Sequence, residues 1–319
     1  MISFERVGII GAGSYGTAIA QCFGRRAKKV LLISNEDRAT LCINESHTNP
    51  DFIPGVVLSE NISCSGVFSD VSDCDIIFIV TPTAAVESVC RQLKQHEITA
   101  PTALCSKGFC NDEGKLQSTL FEEILDNDYA IFSGPSFAGE IAAGLPAAVN
   151  IASKNGELSG RIAENLSSEN FKIEPIGDYI GLQTAGAMKN ILAIACGIFL
   201  GLKLGNSAVA RLITEGLNET ARLSVALGGQ KDTIFALGGV GDTILTCTCR
   251  QSRNMMFGEH LAAGGTVENR NGPLAEGVFA VKSIPILEQR CNIRLKIFSE
   301  IYKIICDRKN VNEAVADFF

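Results

Sequence analysis

The feature that most constrains this chain is Gly11-Ala-Gly-Ser-Tyr-Gly16, a Gly-x-Gly-x-x-Gly run placed directly after the apolar stretch Arg6-Val-Gly-Ile-Ile10. Helix-compatible spacing resumes from Thr17 to Phe23, so the segment predicts a strand, a tight turn and a helix, the opening of a parallel βαβ unit. Each glycine has a physical reason in that context: Gly11 permits the turn, Gly13 lets the backbone approach a pyrophosphate, and Gly16 lets the helix pack closely on the sheet. The free N–H groups at the helix start, around Ser14 and Tyr15, then suit phosphate oxygens. A glycine-rich turn without a ligand is the competing reading of the bare pattern; the flanking strand and helix favour a dinucleotide.

The residue that would hold the adenosine ribose is expected roughly 20 residues further on. There the second apolar run, Lys29-Val-Leu-Leu-Ile33, ends in Ser34-Asn35-Glu36-Asp37-Arg38. Glu36 or Asp37 could hold a 2′-hydroxyl, whereas Asn35 with Arg38 could accept a 2′-phosphate, and a solvated loop is also possible. The choice between NAD and NADP therefore stays open.

At 319 residues the chain exceeds what one core usually supports, so two domains are expected. Strand-like runs at Asp75–Val80, Thr102–Cys105, Tyr129–Phe132 and Ala147–Ile151 alternate with helical stretches, which predicts a parallel sheet covered on both faces. After about Gly177 these runs vanish. The proline-free stretch from Leu182 to Leu202 reads as a long helix buried on several sides. The expected class is α/β, a doubly wound Rossmann-type domain over residues 1–178 followed by an all-α domain over 179–319, the first for the dinucleotide and the second for substrate and catalysis.

The net charge of −7 argues against general affinity for nucleic acid or acidic membranes, so an anionic substrate would need a local basic cluster. No apolar run reaches the length of a membrane span, and Met1–Arg6 lacks the pattern of an export signal, which predicts a cytoplasmic protein. The 12 cysteines are then expected to be reduced thiols. No metal is expected, because Cys247-Thr-Cys249 is a lone pair and His47, His96 and His260 are scattered.

Further blocks follow in order: Ser106-Lys-Gly-Phe109, Ser133-Gly-Pro-Ser-Phe-Ala138 with Glu140, Ala187-Met-Lys-Asn190, Asn206, Glu215-Gly216, Gly239-Val-Gly-Asp242 with Thr246-Cys247, Ser252-Arg-Asn254 and Glu276-Gly277. With the glycine run they resemble the bacterial-type NAD(P)-dependent sn-glycerol-3-phosphate dehydrogenases over almost the whole chain. The resemblance implies reversible hydride exchange between glycerol 3-phosphate and dihydroxyacetone phosphate, serving phospholipid synthesis, in a homodimer. Oxidising a secondary alcohol needs a positioned base, and Lys189 is the candidate, since burial in an apolar helix would disfavour its charged form. A lysine that snorkels to solvent is the alternative reading. Small residues Ala185, Gly186, Ala193, Cys196 and Gly197 share its helix face, where a ligand or the other domain could approach.

The resemblance places Asn190 beside this lysine, fixing its geometry or positioning substrate, and Lys107 near both nicotinamide and substrate; a solvated loop lysine is the alternative. Ser252, Arg253 and Asn254 are implied to hold the substrate phosphate, with Arg253 also near the cofactor. Gly134 and Ser136 would contribute to the substrate wall, while Ala138 and Glu276 would touch the cofactor. Asp242 would sit beside substrate and lysine, although by position alone it reads equally as a helix N-cap. The chain departs from the family at Thr243, where leucine is usual, and at Ile33-Ser-Asn35, where tryptophan with a nearby arginine or histidine is common. Asn49-Pro-Asp-Phe-Ile-Pro54 differs from the more usual Tyr-Leu-Pro pattern and reads as a covering loop.

Overall fold

The computed structural model describes residues 4–269 and 275–318. Met1–Ser3, part of the stretch read for an export signal, lie outside the described residues. The chain divides into two compact units, one of residues 1–106 and 118–179, the other of 107–117 and 180–319.

The first unit is built on an eight-stranded sheet. Among the described residues its ten strands, two of which form a separate hairpin, are β1 (Arg6–Ile10), β2 (Lys29–Ile33), β3 (Thr48–Asn49), β4 (Ile53–Val57), β5 (Ile62–Ser65), β6 (Ile76–Ile79), β7 (Thr102–Leu104), β8 (Tyr129–Ser133), β9 (Ala147–Ser153) and β10 (Phe171–Ile176). The sheet order is β10-β9-β8-β7-β6-β1-β2-β5, so the chain reverses direction across the sheet between β1 and β6. That is the switch point where doubly wound sheets bind nucleotides, and the Gly11–Gly16 turn leaves β1 there. Strands β1, β6 and β8 are buried along nearly their full length, as strands covered on both faces must be. Phe23 from the Ser14–Phe23 helix packs between Phe78, Phe132 and Phe171 at the centre of this core.

Two features differ from the expected purely parallel sheet. β9 pairs antiparallel to β8, because the connection from Gly134 to Pro146 carries only the short Ala138–Ala142 helix and returns at the same end of the sheet. The edge strands β5 and β10 are also additional. Their sequences, Ile-Ser-Cys-Ser and Phe-Lys-Ile-Glu-Pro-Ile, alternate apolar and polar residues because one face is solvated, so they lack the continuous apolar run of a central strand.

The second unit is helical. The Tyr179–Gly201 helix is its spine, buried continuously from Gly181 to Phe199, which a near-uniform apolar composition requires. It is long and apolar enough to cross a membrane by composition, yet its surroundings are the unit's own core of Phe257, Phe298, Leu287, Leu295 and Ile301. The small residues on it serve helix packing. At the crossing with the Arg253–Ala262 helix, a Cβ on Gly197 would lie 2.0 Å from the Met255 carbonyl oxygen, and one on Gly258 would lie 2.0 Å from that of Ile194. The close approach expected at this face is therefore made by a neighbouring helix.

Where the sequence suggests a contiguous division at 178/179, the helical unit also takes in the segment Lys107–Gln117. Phe109 and Leu116 join that unit's core, Ser283 Oγ donates to the Asn111 carbonyl oxygen at 3.0 Å, and Arg290 donates to those of Glu113 and Gly114.

Candidate active site

In the first unit, Gly11 has φ +114°, a conformation that L side chains rarely adopt, and a Cβ there would lie 2.8 Å from the Val80 carbonyl oxygen. A Cβ on Gly16 would lie 1.8 Å from the Gly11 carbonyl oxygen, so the helix can start this close to the turn only with glycine. Beside Gly13 the space is open: an added Cβ would meet nothing within 4 Å. The helix opens with no side-chain cap at Gly13, leaving its first N–H groups for an anion. These observations fit a dinucleotide pyrophosphate. Tyr15 Oη and Ser136 Oγ are 3.0 Å apart, which brings Ser136 to the turn, and Ala138 begins the short helix that packs on the Ser14–Phe23 helix. Gly134 is explained by packing: its Cβ would lie 2.6 Å from Val149 Cα.

At the end of β2, Asn35 and Glu36 are exposed, and Ser34 Oγ accepts from the Glu36 N–H at 3.0 Å. Arg38 pairs with Asp51 at 3.2 Å. Asn49–Pro54, read as a covering loop, is a hairpin: β3 and β4 pair antiparallel with an irregular register at Thr48 and Asn49.

In the helical unit, Asp242, Lys189, Lys107, Asn190 and Asn254 come together. Asp242 begins the Asp242–Thr248 helix, directly after a π-helical turn over Leu237–Gly241, a distortion often found at functional sites. Its side chain makes no cap. Instead Asp242 Oδ1 accepts from Lys189 Nζ and Oδ2 from Lys107 Nζ, both at 2.7 Å. Thr246, four residues on and so on the same helix face, accepts from Lys189 Nζ at 2.7 Å and donates to the Asp242 carbonyl oxygen at 2.6 Å. Thr246 appears within a sequence block, yet no role attached to it before its contact with the lysine was visible.

Lys189 is buried, which excludes snorkelling. Burial pushes its pKa down to about 8; Asp242 opposes the shift and Lys107 reinforces it. Burial would raise the Asp242 carboxyl, but the two ammonium groups prevail and hold it below its ordinary value.

Asn190, one helical step from Lys189, points elsewhere. Its Nδ2 donates to the Lys107 carbonyl oxygen at 2.9 Å, so it pins the main chain of Lys107 rather than the Lys189 side chain. Asn254 Nδ2 donates to Asn190 Oδ1 at 3.0 Å, and Asn254 Oδ1 accepts from the Gly277 N–H at 2.9 Å. The next residue back, Glu276, starts the Glu276–Ala280 helix. Ser252 caps the Arg253–Ala262 helix, its hydroxyl accepting from the Met255 N–H at 3.3 Å, while the Arg253 side chain is exposed at the first helical position. Among the described residues no group of three or more histidine, cysteine or acidic side chains could hold a metal.

Comparison with known proteins agrees along the whole chain. Residues 6–159 match the family model of the NAD-dependent glycerol-3-phosphate dehydrogenase N-terminus, and residues 178–316 that of its C-terminus. The chain is similar to glycerol-3-phosphate dehydrogenase [NAD(P)+] of Caulobacter vibrioides, at 38% identity covering 99% of this chain and 97% of that one. The enzyme of the same name from Ehrlichia ruminantium is 38% identical, covering 98% and 99% respectively. The crystal structure of glycerol-3-phosphate dehydrogenase from Coxiella burnetii superposes with a TM-score of 0.93 at 33% identity, covering 98% of both chains. With the glycine turn at a sheet switch point and two lysines, one of them buried, on one buried carboxylate, this chain belongs to the NAD-dependent glycerol-3-phosphate dehydrogenase family.

Proposed function

We propose that this chain is an NAD(P)-dependent sn-glycerol-3-phosphate dehydrogenase that interconverts glycerol 3-phosphate and dihydroxyacetone phosphate, supplying glycerol 3-phosphate for phospholipid synthesis. The observation that carries the reading is the Lys189–Asp242–Lys107 cluster, with Lys189 and Asp242 buried and Lys107 half-buried, in a chain matched from end to end by that family. When bound, NAD(P) supplies the nicotinamide that accepts hydride from the carbinol carbon, or returns it to the ketone. Lys189 Nζ takes the hydroxyl proton in the oxidation and gives it back in the reduction. A pKa of about 8 suits both directions, leaving a neutral amine above that pH and an ammonium below it.

Asp242 and Thr246 hold the Nζ in place, and the former keeps the lysine pKa from falling further. Two lysines on one carboxylate leave the cluster positive whenever both are protonated, which favours an anionic substrate despite the acidic chain. The exposed Arg253 guanidinium and the helix start behind it are suited to the phosphate, with Asn254 held beside them. In this reading the first unit binds the dinucleotide through Gly11–Gly16 and the helical unit carries substrate and proton. The protein works as a cytoplasmic homodimer.

The test is consumption of NADH and NADPH with dihydroxyacetone phosphate. Lys189→Ala is expected to fold and bind cofactor but to lose a factor of roughly 100–10,000 in turnover. Arg253→Ala is expected mainly to raise KM for the phosphorylated ketone. Oxidation by the wild type should rise with pH through about 8 and then level, following loss of the Lys189 proton. Near-wild-type turnover by the lysine variant would remove the assignment.

A further inference from the structure

We propose that Asn49, on the β3–β4 hairpin, is a positioning residue for the cofactor, setting the orientation of the peptide between Ala12 and Gly13. The proposal rests on the reading of Gly11–Gly16 as the pyrophosphate turn. Asn49 is 1% exposed, and its Nδ2 donates to the Ala12 carbonyl oxygen at 2.9 Å and to Thr17 Oγ1 at 2.8 Å. Thr17 Oγ1 in turn donates to the same Ala12 oxygen at 3.2 Å, closing a triangle. The amide orientation is fixed by chemistry, since the Ala12 oxygen can only accept.

Pinning that oxygen has a consequence for the next residue. In a trans peptide the C=O and N–H groups point to opposite sides, so holding the Ala12 oxygen toward Asn49 turns the Gly13 N–H away from it. A flip of this peptide would exchange an N–H for a carbonyl oxygen at the turn, replacing attraction for phosphate by repulsion. Asn49 opposes the flip by donating directly to the Ala12 oxygen and by holding the Thr17 hydroxyl that donates to it as well.

The surroundings show that the side chain is held for this geometry rather than for its own satisfaction. Asn49 Oδ1 is buried with no hydrogen-bond partner, which is unfavourable for stability. The register of β3 on β4 shifts at Thr48 and Asn49, an irregularity of the kind that re-aims a side chain. Ser14 Oγ, in the glycine run itself, donates to the Phe52 carbonyl oxygen at 3.0 Å, so the hairpin meets the turn at a second point. Farther along, Gln21 ties the other end of the hairpin region to the same helix through Val57 and Ser59, without touching the turn.

That second tether provides the control. Asn49→Asp keeps the shape but cannot donate, and Asn49→Ala removes the amide. Dissociation constants and KM for NADH and NADPH should rise about tenfold in both, the size of one lost hydrogen bond of ordinary strength. KM for dihydroxyacetone phosphate and kcat at saturating cofactor should stay near wild type, and Asn49→Ser, retaining one donor, should fall between. Gln21→Ala should lower the melting temperature while leaving cofactor KM unchanged. The proposal is overturned if the Asn49 variants lose stability with unaltered cofactor affinity, or if Gln21→Ala weakens cofactor binding as much as they do. Gly13→Val separates the underlying reading: if it binds NADH normally, the turn is not the pyrophosphate site and the failure lies there.

Discussion

Asp242 and Glu219 are both buried carboxylates of the helical unit, at 2% and 6% exposure, yet their pKa values are shifted in opposite directions. Burial pushes both upward. At Asp242 two ammonium groups at 2.7 Å overcome it, and the carboxyl sits below its ordinary value. Glu219 has only the backbone N–H groups that open the Lys296–Ile305 helix, among them Ile297 at 3.1 Å, and an exposed Arg222 at 3.8 Å. Its pKa is driven up to about 7. Glu300 behaves like Asp242: burial raises it, but Lys303 and Lys309 at 2.6 and 2.8 Å bring it down. Close cationic partners, rather than depth, decide whether the pKa of these buried carboxylates falls or rises.

The strongest way to break this comparison is Asp242→Ala, which strands two lysines beside an empty position. Removing one partner of a buried ion pair should cost about 3–5 kcal/mol in stability, read from urea unfolding. Turnover should fall with it. Because Asp242 raises the Lys189 pKa, the milder Asp242→Asn should move the rise in oxidation rate below pH 8. An unshifted pH profile would show that the carboxylate does not act on the lysine.

Glu219→Gln probes the other side. A carboxyl whose folded pKa of about 7 exceeds its ordinary 4.5 binds a proton more readily in the native state. Its stabilising contribution is complete below the unfolded value and is lost as pH rises through 7. Relative to the variant, the wild type should therefore lose up to roughly 3 kcal/mol between pH 4.5 and 8. Equal pH dependence in both proteins would place the Glu219 pKa at its ordinary value. The smallest effect belongs to Arg222→Ala, since an exposed cation at 3.8 Å should contribute no more than about 0.5 kcal/mol.

A contrast between local and distant partners explains what is legible in the sequence. Gly11, Gly13 and Gly16 carry their meaning within six positions of sequence, and the turn they form is the one their spacing requires. The apolar runs of the central strands and of the Tyr179–Gly201 helix were legible because both elements are buried on more than one side. Edge strands β5 and β10 were not, since half of each faces water and breaks the apolar pattern. The excursion of Lys107–Gln117 into the helical unit left no local signature, because its anchors, Ser283 and Arg290, are distant in sequence.

What the sequence determined by itself is therefore the α/β-then-helical order, the glycine turn and the residue types available for proton transfer and phosphate recognition. Tertiary structure alone decided how those residues are paired: that Asp242 takes both lysines, that Asn190 restrains Lys107, that Asn254 links Asn190 to Gly277, and that Asn49 reaches the Ala12 carbonyl. Hydrogen bonds and ion pairs depend on distances of a few ångströms between groups tens of residues apart, and those distances exist only once the core has packed.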